Sequence, residues 1–395
     1  MQFLTDSRID FMKYRRVFVW VSILLLLVAL GELFFLTGLN LGIDFAGGTQ
    51  LTLRLRDAGS AEELRRTFEN AGLRETQIQK YGTGDSEFLI KTPVVGGSEE
   101  GSGTAMIEAL NNDLNSDAAG RLDLNQRGAE SLASLLYEND PDTRVGIDEV
   151  AARQEYQAVA DAVLERRKTL TLFTSWDELS DVEGLSDAAL TVLKDKAYLG
   201  AFHVLQNENV GPQIGSELRT KGVLAVVLSF FGMLLYIWFR FELRFGIGAL
   251  VAVIHDFMIT LGLFALLNYE FNLSTIAAFL TLVGYSVNDS VVIFDRVREN
   301  MRRHRRKPLV ETINISLNQT LSRTILTSGT TLMVLVSLFV LGGEVIRGFA
   351  FVLMIGVVIG TYSSIFVASP FALAWEKYFG RDAKARKQQK AASAA

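Results

Sequence analysis

The chain has 395 residues, 49% of them hydrophobic and only 21% charged, with a mean hydropathy of +0.25. That balance excludes a disordered or fibrous chain and is too apolar for an ordinary soluble enzyme of this length. Cysteine is absent and the three histidines, His203, His255 and His304, are scattered, which excludes a disulfide framework, a cysteine nucleophile and a Cys/His metal cluster. The formal charge of −5 averages two opposed regions. Residues 40–215 hold 30 Asp/Glu against 16 Lys/Arg, a net −14, and the remainder is net +9. An acidic block beside a basic, very apolar one predicts a membrane protein with one large exposed domain.

Residues 1–16 form a short basic segment containing Arg8, Lys13, Arg15 and Arg16. A hydrocarbon core of about 30 Å needs roughly 20 mostly apolar helical residues, and 17–36 is the first stretch to qualify. It is too long for a signal-peptide core and no small-residue cleavage site follows, so we expect a retained membrane helix. Residues 37–215 make up the exposed domain. Thr49–Arg56 alternates apolar and polar residues, as a half-buried strand does. Ser60 and Glu63 form a capping-box pattern that opens a helix to about Ala71, with Gly72 as its stop. Thr76–Tyr81 and Glu87–Lys91 read as a hairpin around Gly82–Asp85. Strand, helix, strand, strand predicts a small α+β sandwich.

Gly96–Gly103 is a Gly/Ser/Glu-rich linker. From 104 to 205 the text changes to Ala, Leu, Glu, Asp and Arg at helical spacing, predicting a mostly helical insert. Leu179–Leu199 faintly resembles a helix-hairpin-helix nucleic-acid element, but so acidic a domain argues against nucleic acid as a partner. No phosphate-cradling loop and no nucleophile–base pair stands out, which points away from an enzyme.

Residues 216–378 carry five more apolar stretches, at about Val223–Phe239, Phe245–Leu267, Leu273–Phe294, Leu321–Leu341 and Phe349–Trp375. Basic residues cluster before the first stretch, in alternate loops (Arg240 and Arg244; Arg296 to Lys307) and in the tail 379–395. The intervening loops carry almost none. The positive-inside rule then puts both termini in the cytoplasm and the acidic domain outside. The run Arg302–Lys307 is explained by its place between two spans.

Charges at membrane depth cost at least about 2.5–3.5 kcal/mol each, so each is a functional candidate. Asp289 stands seven residues before Arg296, roughly 10 Å inside the cytoplasmic interface. Arg323 opens the next span, which runs the opposite way, so both charges are expected at similar depth. A structural ion pair and a proton site both fit, the second with Asn288 and Ser290 completing the hydrogen bonding of Asp289. His255 and Asp256 are neighbours about 100° apart in the middle of the third span, suited to a relay step or to a structural hydrogen bond with the fourth. Glu32 is expected at the interface, Asp295 at the membrane edge beside an Arg. Gly356-x-x-x-Gly360 predicts close helix packing.

Four passages carry a resemblance: Gly42–Gly48 (GIDFAGG), Val210–Ser216 (VGPQIGS), Val283–Asn300 (VGYSVNDSVVIFDRVREN) and Ser322–Thr324 with the Thr/Ser-rich turn after it. Over nearly all of 1–95 and 205–378 the chain resembles the SecF branch of the SecD/SecF family of bacterial protein export. The resemblance implies six spans with an extracytoplasmic, ferredoxin-like domain between the first two, in the bacterial inner membrane. It implies SecD and the SecYEG channel as partners, and a proton gradient used to draw a translocating preprotein across the bilayer after the ATP-driven step. No catalysis, cofactor or metal is expected. The family's membrane carboxylate carries over to Asp289 and its arginine to Arg323, a second carboxylate coming from SecD. The insert at 104–205 departs from the family pattern. Two other readings remain: a half-transporter of the same superfamily, moving small solutes by proton antiport, and a structural scaffold.

Overall fold

The computed structural model describes residues 8–36, 38–81, 86–93, 101–118, 120–240 and 242–379. The hairpin turn 82–85, most of the 96–103 linker and the basic tail from 380 lie outside them. In chain order the elements begin with α1 (Arg15–Phe35), β1 (Asn40–Leu41), α2 (Ile43–Ala46), β2 (Gly48–Leu55), α3 (Ala61–Asn70), β3 (Gln77–Lys80), β4 (Glu87–Thr92) and α4 (Gly101–Leu114). There follow β5 (Leu122–Asp123), α5 (Ala129–Asn139), α6 (Glu149–Leu170), α7 (Asp187–Lys196), β6 (Ala197–Tyr198) and β7 (Phe202–Val210). The rest is α8 (Pro212–Arg240), α9 (Leu243–Leu266), β8 (Glu270–Phe271), α10 (Leu273–Arg303), α11 (Leu309–Leu341), α12 (Gly343–Ser363) and α13 (Ser369–Phe379). The chain divides into two compact units, one comprising 43–216 and the other the segments on either side.

In the 43–216 unit, four antiparallel strands pair in the order β3-β4-β2-β7. Leu51, Leu53, Phe88, Ile90 and Phe202 meet Leu64 and Phe68 of α3 and Met106 and Leu110 of α4 in one core. The capping box is present: Ser60 Oγ accepts from the Glu63 N–H at 3.1 Å and the Glu63 carboxylate accepts from the Ser60 N–H at 3.0 Å. Gly72 ends this segment at a φ of +85°. At the start of β2, Gly48 has a φ of +144°, and a Cβ there would lie 2.7 Å from the Thr92 carbonyl. No other residue fits that place.

The helical segment 104–205 divides between two cores. Its first turns, in α4, belong to the sheet's core. A second core gathers Leu132 and Leu136 of α5, Tyr156, Val159 and Val163 of α6, Phe173, Leu179 and Leu193. Fully buried Asn125 ties its loops: Nδ2 donates to the carbonyls of Phe173 (2.9 Å) and Gly200 (2.8 Å), and Oδ1 accepts from the Phe173 N–H at 2.8 Å. Beside it, burial pushes the Asp123 carboxyl up, opposed by N–H donors from Asn125 and Gly200. Arg167, nearly buried, donates to the carbonyls of Leu124 and Arg127.

Among the described residues, six helices are long and apolar enough to cross a membrane: Arg15–Phe35, Pro212–Arg240, Leu243–Leu266, Leu273–Arg303, Leu309–Leu341 and Ile346–Phe379. Two outrun their apolar stretches for identifiable reasons. On α10, Glu299 pairs with Arg296 and Arg303 at i,i+3 and i,i+4 spacing, which carries the helix past the apolar run. On α11, the early turns are held by the N-terminal segment: Asn318 exchanges two hydrogen bonds with the Ile9 backbone, and Asn314 bonds Met12 and Asp10. The last span is interrupted by a π-helical turn at Ser364–Ala368. Glu32 is 4% exposed, buried within the unit rather than at its surface. A Cβ on Gly356 would lie 2.3 Å from Leu282 of α10, so the small-residue pair does bring α12 against α10. Asn125→Ala should strand three buried backbone groups, costing about 3 kcal/mol or more, and limited proteolysis of the full chain should then cut between 115 and 201 first.

Candidate functional site

Within the hydrocarbon there is no water to satisfy a polar side chain, so each needs a partner inside the protein, on its own helix or on another. Four helices meet this demand in one layer. Asp256 of α9 is fully buried; its Oδ1 lies 2.9 Å from His255 Nδ1, and its Oδ2 accepts from Ser286 of α10 (2.6 Å) and Ser363 of α12 (2.7 Å). Ser328 of α11 and Thr361 of α12 share a hydrogen bond of 2.7 Å. Among the described residues, His255 Nε2, Thr260 Oγ1, Ser290 Oγ and Asp289 Oδ2 are buried without a hydrogen-bond partner.

Asp289 is therefore a different kind of carboxylate from Asp256. It is 3% exposed on α10, and the groups acting on it are the Arg323 charge and the Thr361 hydroxyl. Arg323 makes no ion pair within 4.0 Å among the described residues, so the pair interacts without direct contact. Antiparallel register explains the gap. Arg296 donates to Gln319 at 2.7 Å, and Asn300 donates to Ser316 and Gln319 at 2.9 and 2.8 Å. With 319 level with 296–300, Arg323 falls about a turn or more on the cytoplasmic side of Asp289.

The sequence neighbours of Asp289 do not complete its hydrogen bonding. Asn288 is exposed on the outer side of α10, and the Ser290 hydroxyl is buried without a partner. The reason is the 100° turn per residue, which aims adjacent side chains apart. His255 and Asp256 nonetheless reach each other, at 2.9 Å between Nδ1 and Oδ1. Ser286, Ser328, Thr361 and Ser363 have no signal in the sequence, since Ser and Thr in a membrane helix ordinarily bond the carbonyl four residues back. Asp295 is exposed and pairs with Arg240 at 3.2 Å.

One face of this layer is open in the single chain. On α10, Ala277, Thr281, Gly284 and Asn288 are exposed at i, i+4, i+7 and i+11; on α11, Arg323, Leu326 and Thr330 are exposed. Small and polar residues in such a row belong to helix–helix seams rather than to lipid-facing surfaces.

Comparison with known proteins follows the same residues. The model of the SecD/SecF protein export membrane protein C-terminal region matches 191–378, and that of the SecD/SecF GG motif matches 33–58, around Gly47 and Gly48. The protein translocase subunit SecF of Koribacter versatilis is 39% identical over 96% of this chain and 95% of its own length. The chain belongs to the SecF family. It is also 35% identical to the SecDF subunit of Thermus thermophilus, of which it covers 39%. The crystal structure of SecDF from that organism aligns with 95% of this chain and 40% of its own, at 34% identity and a TM-score of 0.64. The chain is thus an accessory subunit of the Sec translocase and a multi-pass inner-membrane protein. Residues 59–190 fall outside both family models.

Replacing Asn300 with Ala should loosen the α10–α11 register. Hydrogen bonds between membrane helices average about 0.6 kcal/mol and reach about 1.7, so two lost bonds should lower stability by about 1–2 kcal/mol in a detergent-unfolding titration.

Proposed function

We propose that this chain couples the proton gradient to late steps of preprotein translocation, with Asp289 loading and releasing the proton. The single observation that carries this is a carboxylate 3% exposed, at membrane depth, with an oxygen that no hydrogen bond satisfies. A buried structural carboxylate is normally fully partnered, as Asp256 is. Arg323 acts on Asp289 from beyond ion-pair distance, so a helix movement that brought the two into contact would strengthen that influence. No cofactor enters this scheme; the gradient is the energy source.

SecD is the partner we assign to the open face of α10 and α11. SecF and SecD being fused in the Thermus relative supports the pairing, and an arginine at membrane depth cannot be left facing hydrocarbon cheaply. The SecYEG channel and the emerging preprotein complete the proposed assembly. Both termini would then be cytoplasmic and the acidic 43–216 unit periplasmic, a reading the loop charges support. We read the sheet of that unit as ferredoxin-like. Its β-α-β-β-α order, closed by β7 beside β2, and its strand order support this.

Asp289→Asn should abolish gradient-dependent stimulation of export in inner-membrane vesicles, with co-purification of SecD unchanged. Export that still responds to the gradient would exclude Asp289 as the proton site. Gly284→Leu, on the open face, should instead reduce SecD co-purification several-fold, measured by pull-down from membranes. A small-solute antiporter predicts the opposite pattern: solute efflux from vesicles holding this chain alone.

A further inference from the structure

Two of the buried carboxylates of the bundle, Asp256 and Asp289, act on the same two helices. Ser286, which donates to Asp256, stands three residues before Asp289, on the same face of α10 and about 4.5 Å along its axis. Ser363, the second donor, stands two residues after Thr361, whose hydroxyl acts on Asp289. Gly360 of α12 lies beside them: a Cβ there would be at ordinary contact distance, 3.6 Å, from both Asp256 Oδ2 and the Cα of Ser286. Directly after Ser363 the helix passes into its π turn, an irregularity that membrane and soluble helices alike concentrate at functional sites. The other titratable groups nearby are His255, already bonded to Asp256, and Tyr362. The Tyr362 hydroxyl donates to the Phe18 carbonyl at 2.7 Å and pairs with Ser22 at 2.9 Å, so it is tied to α1.

We propose that Asp256 is a positioning residue for Asp289, its carboxylate clamping α10 to α12 at the spacing that leaves Asp289 buried with the Thr361 hydroxyl beside it and one oxygen without a donor. The inference rests on the reading of Asp289 as the proton site and deepens it. Hydrogen bonds to a charged acceptor are roughly twice as strong as neutral ones, and in the bundle no water replaces one that is lost. The clamp joins three helices through one atom group: α9 supplies the carboxylate, α10 and α12 supply one hydroxyl each. Asp256 is the fixed carboxylate and Asp289 the changing one.

The test uses the full chain assembled with SecD in vesicles, reading both export and the infrared band of the Asp289 carboxyl. That band is identified by its loss in Asp289→Asn. Asp256→Asn keeps an acceptor oxygen and the same shape, and the two serine hydroxyls can turn to suit it. It should retain gradient-stimulated export to within about threefold and leave the Asp289 band in place. Asp256→Ala should lower that export about tenfold or more and shift the band. The double variant Ser286→Ala/Ser363→Ala removes the clamp while keeping Asp256, and should reproduce the alanine effect if Asp256→Ala itself assembles poorly. Wild-type export and an unmoved band in the double variant would overturn the proposal. So would Asp256→Asn being as inactive as Asp256→Ala with the band unmoved, which would make Asp256 a proton carrier. Normal export in Asp289→Asn is a separate result that removes the proton-site reading while the Asp256 variants still report on the clamp.

Discussion

Hydrocarbon offers no water, and the arrangement of the membrane bundle follows from that absence. Backbone groups are satisfied inside each helix, so the polar side chains are what must be matched from one helix to the next. Asp256 collects donors on α9, α10 and α12, Asn300 joins α10 to α11, and Ser328 meets Thr361. Asn314 and Asn318 do the same for the N-terminal segment. Asp289 stands out as the carboxylate of this layer with an oxygen outside the rule. An unsatisfied carboxylate is costly, and the surrounding well-partnered layer is what holds it in place.

The 43–216 unit solves the opposite problem. It carries a strong negative charge, and its order comes from apolar cores and from local backbone closure. The capping box at Ser60, the left-handed Gly72 and the Asn125 knot each close backbone groups that a loop would otherwise leave open. Burial of Asp123 and Arg167 beside Asn125 belongs to the same knot, with their charges near enough to act on each other.

Much of this was legible in the residues. The apolar lengths identify six spans, and the capping pattern and alternation identify α3, β2, β3 and β4, but not β7, which begins inside the stretch read as helical. The family is legible in four short passages because they combine glycines with charges that hydrocarbon would otherwise exclude. Helix ends were less legible. Arg296, Glu299 and Arg303 continue α10 through ion pairs that an apolar window does not register, and α11 begins twelve residues before its apolar stretch because asparagines bond a segment some 300 positions away. The first turns of 104–205 pair with a sheet core because Met106 and Leu110 fill it, and composition alone does not assign them to one core or the other.

The site divides along the same line. Asp289 and Arg323 announce themselves in one dimension, since a charge within an apolar run is conspicuous at once. Their relation does not, because depth depends on the register that Asn300, Ser316 and Gln319 set between two helices. The neighbours Asn288 and Ser290 look like partners in the text and are turned away by helical geometry, whereas Ser286, Thr361 and Ser363 are unremarkable in the text and converge in space. Residue chemistry decides which groups are expensive to bury. Only the packing of one helix against another decides which of those groups are matched and which keeps an unmatched atom.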